Sequence, residues 1–368
     1  MAGKARHYFA AGNTAAGAYN LYESAFQGVR TLFILTGGPG TGKSTTISRI
    51  AGLALERGCD VEMFHCPSDS GSLDGLILTA LRIGIVDGEA CRLAPAEIPG
   101  ARVHFVDVGR AVDKDKLAAD KDRIIELERR IREAYGKAYE TFAKALKIHD
   151  EWEAYYISSM RFDDANELTR ELIESLFGAR ALNKKSRVRH LFLGAATPAG
   201  AVDFIPNLTE DTERRIFLKG RPGSGKSTLL KKICSAAEAR GFDAEVFHCG
   251  FDPNSLDMLI FPELKTAIFD STAPHEHDPS KETDEIVDLY ERAMTPGTDE
   301  KYAEPIAEVR AKYKETMRLA TNRLAEARSL YEQLKRVHIS ATDYAVVESI
   351  YGRLREEIEE RIRLSGDC

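Results

Sequence analysis

Two stretches of the chain carry the pattern Gly-x-x-x-x-Gly-Lys-Ser: Gly37-Gly38-Pro39-Gly40-Thr41-Gly42-Lys43-Ser44 and Gly220-Arg221-Pro222-Gly223-Ser224-Gly225-Lys226-Ser227. Glycines at these places let the backbone curl until successive N–H groups converge on an anion, and a helix beginning at the lysine adds the positive end of its dipole. This is the pattern of a P-loop. It predicts that Gly38 to Thr45 and Arg221 to Thr228 cradle phosphates, that Lys43 and Lys226 reach the β- and γ-phosphates, and that Ser44 and Ser227 ligate Mg²⁺. The expected ligand is ATP, because no guanine-reading Asn-Lys-x-Asp occurs; Asn183-Lys184-Lys185-Ser186 lacks the aspartate.

Carboxylates come next. Asp87 and Asp270 end apolar runs downstream of the loops, where a Walker-B aspartate holds Mg²⁺, although a strand-end aspartate also caps turns. Asp69 and Asp252 close the segments Phe64-His65-Cys66-Pro67-Ser68-Asp69 and Phe247-His248-Cys249-Gly250-Phe251-Asp252, where they are candidates to take a proton from an acceptor hydroxyl or to orient a water. Turns select aspartate for their own reasons as well. Asp74 and Asp257, in a repeated Ser-Leu-Asp, read either as helix starts or as carboxylates with a catalytic or magnesium-linked role. His65-Cys66 and His248-Cys249 are poor metal pairs, since neighbours on a strand point to opposite faces. Arg221 stands five residues before Lys226, where some dimerising ATPases carry a lysine that acts in trans; Gly38 holds that place in the first loop, and an exposed loop arginine is the plainer reading.

The elements that must position these residues are duplicated. Lys43 and Lys226 lie 183 residues apart (226 − 43), and the same offset aligns His7 with His190, Phe9 with Phe192, Arg57-Gly58 with Arg240-Gly241, and Phe64-His65-Cys66 with Phe247-His248-Cys249. It also aligns Ser72-Leu73-Asp74 with Ser255-Leu256-Asp257 and Asp87 with Asp270. Two domains are expected, 1–185 and 186–368. In each, an apolar strand runs into the loop, a helix follows and ends at a capping glycine, and two further strands complete a parallel α/β core. Each half then carries apolar residues at three- and four-residue steps, predicting a long helical hairpin over about 114–180 and 300–365. That hairpin is expected either to pack on its own domain or to project towards a partner.

Composition narrows the class. At 368 residues, 43% hydrophobic and 30% charged, the chain can bury two cores, and its net charge of −7 disfavours nucleic acid as a main partner. Neither a secretory signal nor an 18-residue apolar span is visible, so no membrane partner and a cytoplasmic location are expected. Six scattered cysteines without CxxC spacing predict reduced thiols.

The chain resembles, over nearly its whole length, a family of bacterial tandem P-loop proteins grouped as ATPases or nucleotide-kinase-like proteins. The residues that carry the resemblance are the two loops, the paired Phe-His-Cys and Ser-Leu-Asp segments, and Phe261-Pro262-Glu263-Leu264 to Asp270-Ser271-Thr272-Ala273-Pro274-His275. The resemblance implies two tandem P-loop NTPase domains. The first half departs from it, with Gly88-Glu89-Ala90-Cys91-Arg92 where the second has Ser271 to His275, so the fuller site is the one containing Lys226. Two functions follow as expectations: an ATPase whose halves move on another macromolecule, or a phosphotransferase acting on a small-molecule acceptor. The long helices where a kinase would keep an arginine-bearing lid favour the ATPase.

Overall fold

The computed structural model describes residues 2–91 and 100–366. The first half runs β1 (Ala5–Tyr8), β2 (Ala11–Thr14), β3 (Gly17–Asn20), α1 (Tyr22–Ala25), β4 (Thr31–Thr36), α2 (Lys43–Glu56), β5 (Val61–Cys66), β6 (Asp69–Leu78), β7 (Ile83–Asp87), α3 (Gly88–Cys91), β8 (Arg102–Asp107), α4 (Lys114–Ala119), α5 (Lys121–Ile157) and α6 (Phe162–Phe177). The second runs β9 (Val188–Phe192), β10 (Gly194–Thr197), β11 (Gly200–Asp203), α7 (Ile205–Leu208), β12 (Arg214–Lys219), α8 (Lys226–Ala239), β13 (Ala244–His248), β14 (Leu256–Phe261), β15 (Thr266–Asp270), β16 (Asp284–Asp288), α9 (Leu289–Ala293), α10 (Thr298–Lys301), α11 (Ala303–Ser340) and α12 (Tyr344–Ser365).

The two six-stranded sheets share one order, β1-β5-β6-β7-β4-β8 and β9-β13-β14-β15-β12-β16. Neither is the parallel sheet expected from the sequence. In the first, β6 runs antiparallel to β5 and β7, and in the second β14 runs antiparallel to β13 and β15. The remaining pairs are parallel. Connection length explains the reversal. Cys66 pairs directly with Asp69, so only Pro67 and Ser68 join β5 to β6, whereas a parallel return needs a crossover of about a dozen residues. Asp74 and Asp257 therefore lie within strands and start no helix.

Strand β4 sits between β7 and β8. Its side chains alternate: Phe33 and Leu35 enter a core with Ile47, Ile50 and Ala54 of α2, while Leu32 and Ile34 enter a second core. That second core belongs to both halves, joining Leu32, Ile34, Phe26 and Phe64 to Phe217, Phe247 and Phe269. At its rim Phe9 and Phe192, which are copies of one another, exchange backbone hydrogen bonds of 3.1 and 3.0 Å. Arg6 pairs with Glu245 at 2.7 Å and Arg189 with Glu62 at 2.5 Å, and the 183-residue offset converts one pair into the other. Such reciprocity is the signature of a two-fold, self-complementary interface, here within one chain.

The helical hairpins require a correction. Helix α5 packs along α11, antiparallel to it, while α6 packs on α8 and α9. Leu127 and Ala134 meet Leu330 and Leu334, and Ala138 and Phe142 meet Ala320 and Leu324. Leu168, Leu172 and Leu176 of α6 complete the core of the second sheet; Val347, Ile350 and Leu354 of α12 complete that of the first. The apolar stripes were legible, but a stripe specifies a buried face and not what covers it. The 37 residues of α5 span about 55 Å at 1.5 Å per residue, enough to leave one half and end on the other.

Among the cysteines, Cys66, Cys234 and Cys249 are free, as expected, but Cys59 is disulfide-bonded, against the expectation of reduced thiols throughout. No helix among the described residues is long and apolar enough to cross a membrane.

Candidate functional site

Each glycine-rich loop joins the end of a central strand to the start of a helix, β4 to α2 and β12 to α8. The same backbone bends recur in both: φ is +141°, +76° and +93° at Gly37, Gly40 and Gly42, and +156°, +74° and +88° at Gly220, Gly223 and Gly225. Side chains rarely adopt these values, so glycine is required by the path of the chain itself. Gly42 and Gly225 occupy the helix N-cap with no side-chain cap, which leaves the first amides of α2 and α8 free of that partner.

The lysines fold back over their loops. Lys43 Nζ donates to Gly37 O and, at 2.9 Å, to Gly38 O, with Glu89 at 3.2 Å and Asp87 at 3.7 Å. Lys226 Nζ donates to Arg221 O at 3.1 Å and faces Asp270 at 3.5 Å. Asp87 and Asp270 thus stand beside the lysines. Each also caps the next turn, Asp87 Oδ1 accepting from Glu89 N at 2.9 Å and Asp270 Oδ1 from Thr272 N at 3.0 Å. Burial raises the Asp87 carboxyl, partly opposed by Lys43. The Ser44 and Ser227 hydroxyls accept from Leu73 N and Leu256 N, each at 3.0 Å, placing them against the buried strands β6 and β14.

The other predicted residues divide. Asp69 and Asp252 hold turns, accepting from the Ser72 and Ser255 hydroxyls at 2.7 Å, and Asp69 also takes a 2.8 Å ion pair from Arg328 of α11. Arg221 is bound within its own half to Asp299 at 2.9 Å and lies over the Tyr290 ring, so it reaches no other loop. Arg92 of the divergent first-half segment lies outside the described residues.

What the sequence did not reveal is that each loop is roofed by the other half. The end of α11 lies over the first loop: a Cβ added at Gly38 would come within 2.8 Å of His338, and one at Gly40 within 3.0 Å of Lys335 O. The end of α5 lies over the second, where the Glu153 carboxylate accepts from Gly223 N at 3.2 Å. Beneath α5 opens a cavity of about 1130 Å³ that reaches from Lys226 and Asp270 to Trp152, Phe251 and Tyr313. His149, Asp150 and Glu153 cluster on its α5 wall, their ligating atoms within 4.8 Å of one another.

Two further groups stand near the loops, one noted in the sequence and one missed. Asp74 and Asp257 are buried beside Cys66 and Cys249; burial, with repulsion from Asp87 at Asp74 and from Asp270 at Asp257, lifts their carboxyls to about 7 and about 6. Both thiols are pushed well up by burial, which makes them inert rather than nucleophilic. In the second half Asp203 accepts from His275 at 3.1 Å and from His277 at 3.0 Å. The repeat offset pairs Asp203 with Asn20, and that change of residue type was the available signal.

The fold and site therefore define a duplicated mixed α/β protein with strand–glycine loop–helix units roofed in exchange. No family model, curated protein or solved structure matches it.

Proposed function

We propose that the chain binds ATP with magnesium at both glycine-rich loops and hydrolyses it, and that the exchanged helices α5 and α11 couple the two sites. The carrying observation is the second loop. Its Gly223 amide is given to a carboxylate from the other half, Lys226 is turned onto a loop carbonyl, and the buried Ser224 Oγ and Asp257 Oδ2 have no hydrogen-bond partner. Loop amides that take up a carboxylate suit a phosphate equally well.

Magnesium fits the oxygen donors beside the lysines, Ser227 and Asp270 in one half and Ser44 and Asp87 in the other, and when bound it supplies neutralisation of charge on the phosphates. The chain's own residues do the rest. Loop amides and lysine hold the β- and γ-phosphates; α5 or α11 shields them from water. A phosphate arriving at Gly223 displaces Glu153 and moves the end of α5. Because α5 packs along α11, that movement is felt at the first loop, which makes the pair a switch that could act on a macromolecular partner.

The size of the cavity favours one second reading, a phosphotransferase using ATP, since aromatic walls at Trp152, Phe251 and Tyr313 leave room for an acceptor beside the phosphates. ATP turnover by wild type, Lys43→Ala and Lys226→Ala, with and without a panel of nucleosides and nucleotides, separates the readings. Phosphate release without acceptor, lost in Lys226→Ala, is expected. A phosphorylated acceptor as the product would replace hydrolysis by transfer, and no ATP binding at either loop would end both.

A further inference from the structure

The repeat makes the second loop's surroundings readable by difference. Asn20 and Asp203 hold the same backbone turn: Asn20 Oδ1 accepts from Tyr22 N at 2.8 Å and Asp203 Oδ1 from Ile205 N at 3.1 Å. The turn therefore needs no carboxylate. In the second half the charge holds two imidazoles, His275 through Oδ2 and His277 through Oδ1. The two rings have different surroundings. His277 is fixed locally, its backbone N and O both bonded to Ser271 Oγ at 3.1 and 2.8 Å, whereas His275 lines the cavity with Lys226, Asp257 and Asp270. Asp257 faces the same cavity at 8% exposure, and its Oδ2 has no hydrogen-bond partner. A buried acceptor left unmade is destabilising, which marks Asp257 for a role beyond packing.

We propose, on the hydrolysis reading given above, that His275, held by Asp203, donates a hydrogen bond to the transferring phosphoryl group while Asp257 accepts the proton of the attacking water, making the second half the principal hydrolytic site. The water oxygen forms a bond to the γ-phosphorus as the bond to the β–γ bridging oxygen breaks. That electron pair leaves with ADP, inorganic phosphate is formed, and the water proton passes to Asp257 and then to solvent. Protonation states suit the roles. Burial disfavours the charged His275 ring, but Asp203, Asp257 and Asp270 outweigh it and hold its pKa above the ordinary value. Asp203 is held down to about 2, its burial overcome by the two histidines. The first half keeps the equivalent Asp74 but has Asn20 where a carboxylate would be needed to hold a charged ring.

The test uses the full chain carrying Lys43→Ala, so that only the second loop is read. ATP dissociation constants, kcat and melting temperature are measured for the parent and for added His275→Gln, Asp257→Asn, Asp203→Asn and His277→Gln. Expected are losses in kcat of about 100-fold or more for His275→Gln and Asp257→Asn with ATP affinity changed by less than about threefold. Asp203→Asn, a positioning change, is expected to lower kcat and to shift the pH at which the His275-dependent activity titrates. His277→Gln, which removes the same type of bond outside the cavity, is expected to cost less than about tenfold. Equal losses in His275→Gln and His277→Gln would make the dyad a structural tie and overturn the proposal, as would full turnover in His275→Gln. If His275→Gln does not fold, kcat of Asp257→Asn decides. Absence of ATP binding in the parent overturns the underlying reading and this proposal together, a result distinct from an active His275→Gln.

Discussion

Glu153 and Lys335 occupy matching places near the ends of α5 and α11 with opposite charge, and this predicts opposite responses to the same substitution. The Glu153 carboxylate accepts from Gly223 N at 3.2 Å and lies 3.7 Å from His149, its side chain 32% exposed. A hydrogen bond to a charged group contributes about 1.5–3 kcal/mol when shielded. At this length and exposure about 1 kcal/mol remains, which is about fivefold in a dissociation constant. An incoming phosphate must displace that bond and also meets the carboxylate's charge. Glu153→Ala is therefore expected to tighten ATP binding at the second loop by about five- to tenfold. In the first half, the roof offers Lys335, whose backbone carbonyl lies over Gly40 and whose ammonium is tied to Glu332 at 3.2 Å. Lys335→Ala removes a positive charge from the helix that roofs the first loop and is expected to weaken binding there severalfold. Calorimetric titration in Lys43→Ala and Lys226→Ala backgrounds isolates each loop. Unchanged or weaker binding in Glu153→Ala, or a shift of the same sign in both variants, would refute the reasoning.

Three further predictions concern the frame. Arg189 and Glu62 are more deeply buried than Arg6 and Glu245, with side-chain exposures of 15% and 8% against 34% and 11%. Arg189→Met, which strands Glu62, is expected to cost about 3–5 kcal/mol in urea unfolding, Arg6→Met clearly less, and Arg189→Met with Glu62→Leu to recover most of the loss. Two half-buried histidine pairs set a pH signature. His65 Nδ1 donates to Ser70 O, so its Nε2 accepts from His7 Nδ1 at 2.8 Å, and His248 and His190 repeat this at 2.8 Å. Burial lowers all four, His65 to about 4. Between 6.5 and about 4 the unfolded chain binds more protons than the folded one, so this contribution is intact above that window and is lost as pH falls through it. Asp74 and Asp257, raised to about 7 and about 6, slope the other way. The readout is thus the difference in melting temperature between wild type and His65→Gln/His248→Gln, which should change sharply between pH 7 and pH 5. Finally, a Cβ at Gly223 would sit 2.6 Å from Glu153 O, while at Gly40 the nearest atom is the movable Ile339 Cγ1 at 2.9 Å. Gly223→Ala should therefore loosen the end of α5 more than Gly40→Ala loosens α11, read as faster amide exchange at 150–160 than at 335–342.

The glycine-rich loops, their strands and helices, and the lysine–aspartate pairs could be read from sequence because each depends on residues close together in the chain. Gly40 and Gly223 need positive φ wherever the rest of the protein lies. The reversed strands were missed because Asp69 to Gly75 is polar and glycine-bearing, lacking the alternation that marks a strand, although the two-residue link from Cys66 to Asp69 already forbade a parallel return. The roofing of each loop was beyond any local pattern. Glu153 lies 70 residues from Gly223 along the chain, and nothing in the spacing of α5 distinguishes a stripe that seals its own half from one that crosses to the other. His275 was noticed as a departure between halves; its partner Asp203 was not, because Asn and Asp serve the same turn.

In a dimer of identical chains, the contacts between Phe9 and Phe192 or between Arg189 and Glu62 would be repeated by symmetry, and both loops would have to keep the same surroundings. Fusion into one chain removes that constraint while the shared core retains its two-fold form. Positions that stay alike across the repeat, such as Arg6 and Arg189 or Glu62 and Glu245, are those the frame needs at both ends of the interface. Positions that differ include several around the loops: Asn20 against Asp203 and, in the roofing helices where the offset is 182, Lys335 against Glu153 and Tyr331 against His149. None of these is required for packing in both halves, since each half folds with its own choice. Divergence at the loops and their roofs, with the interface ion pairs kept, is what two phosphate sites with different roles would leave behind. It also fixes which changes are informative. Exchanging one member of such a pair for its counterpart, as in Asp203→Asn or Glu153→Lys, alters a site using a residue type the same fold already accommodates. Asp203→Asn and Glu153→Lys should therefore retain the melting temperature while changing turnover or affinity. A fall in stability as large as that of Arg189→Met would show that the differing positions serve the frame after all.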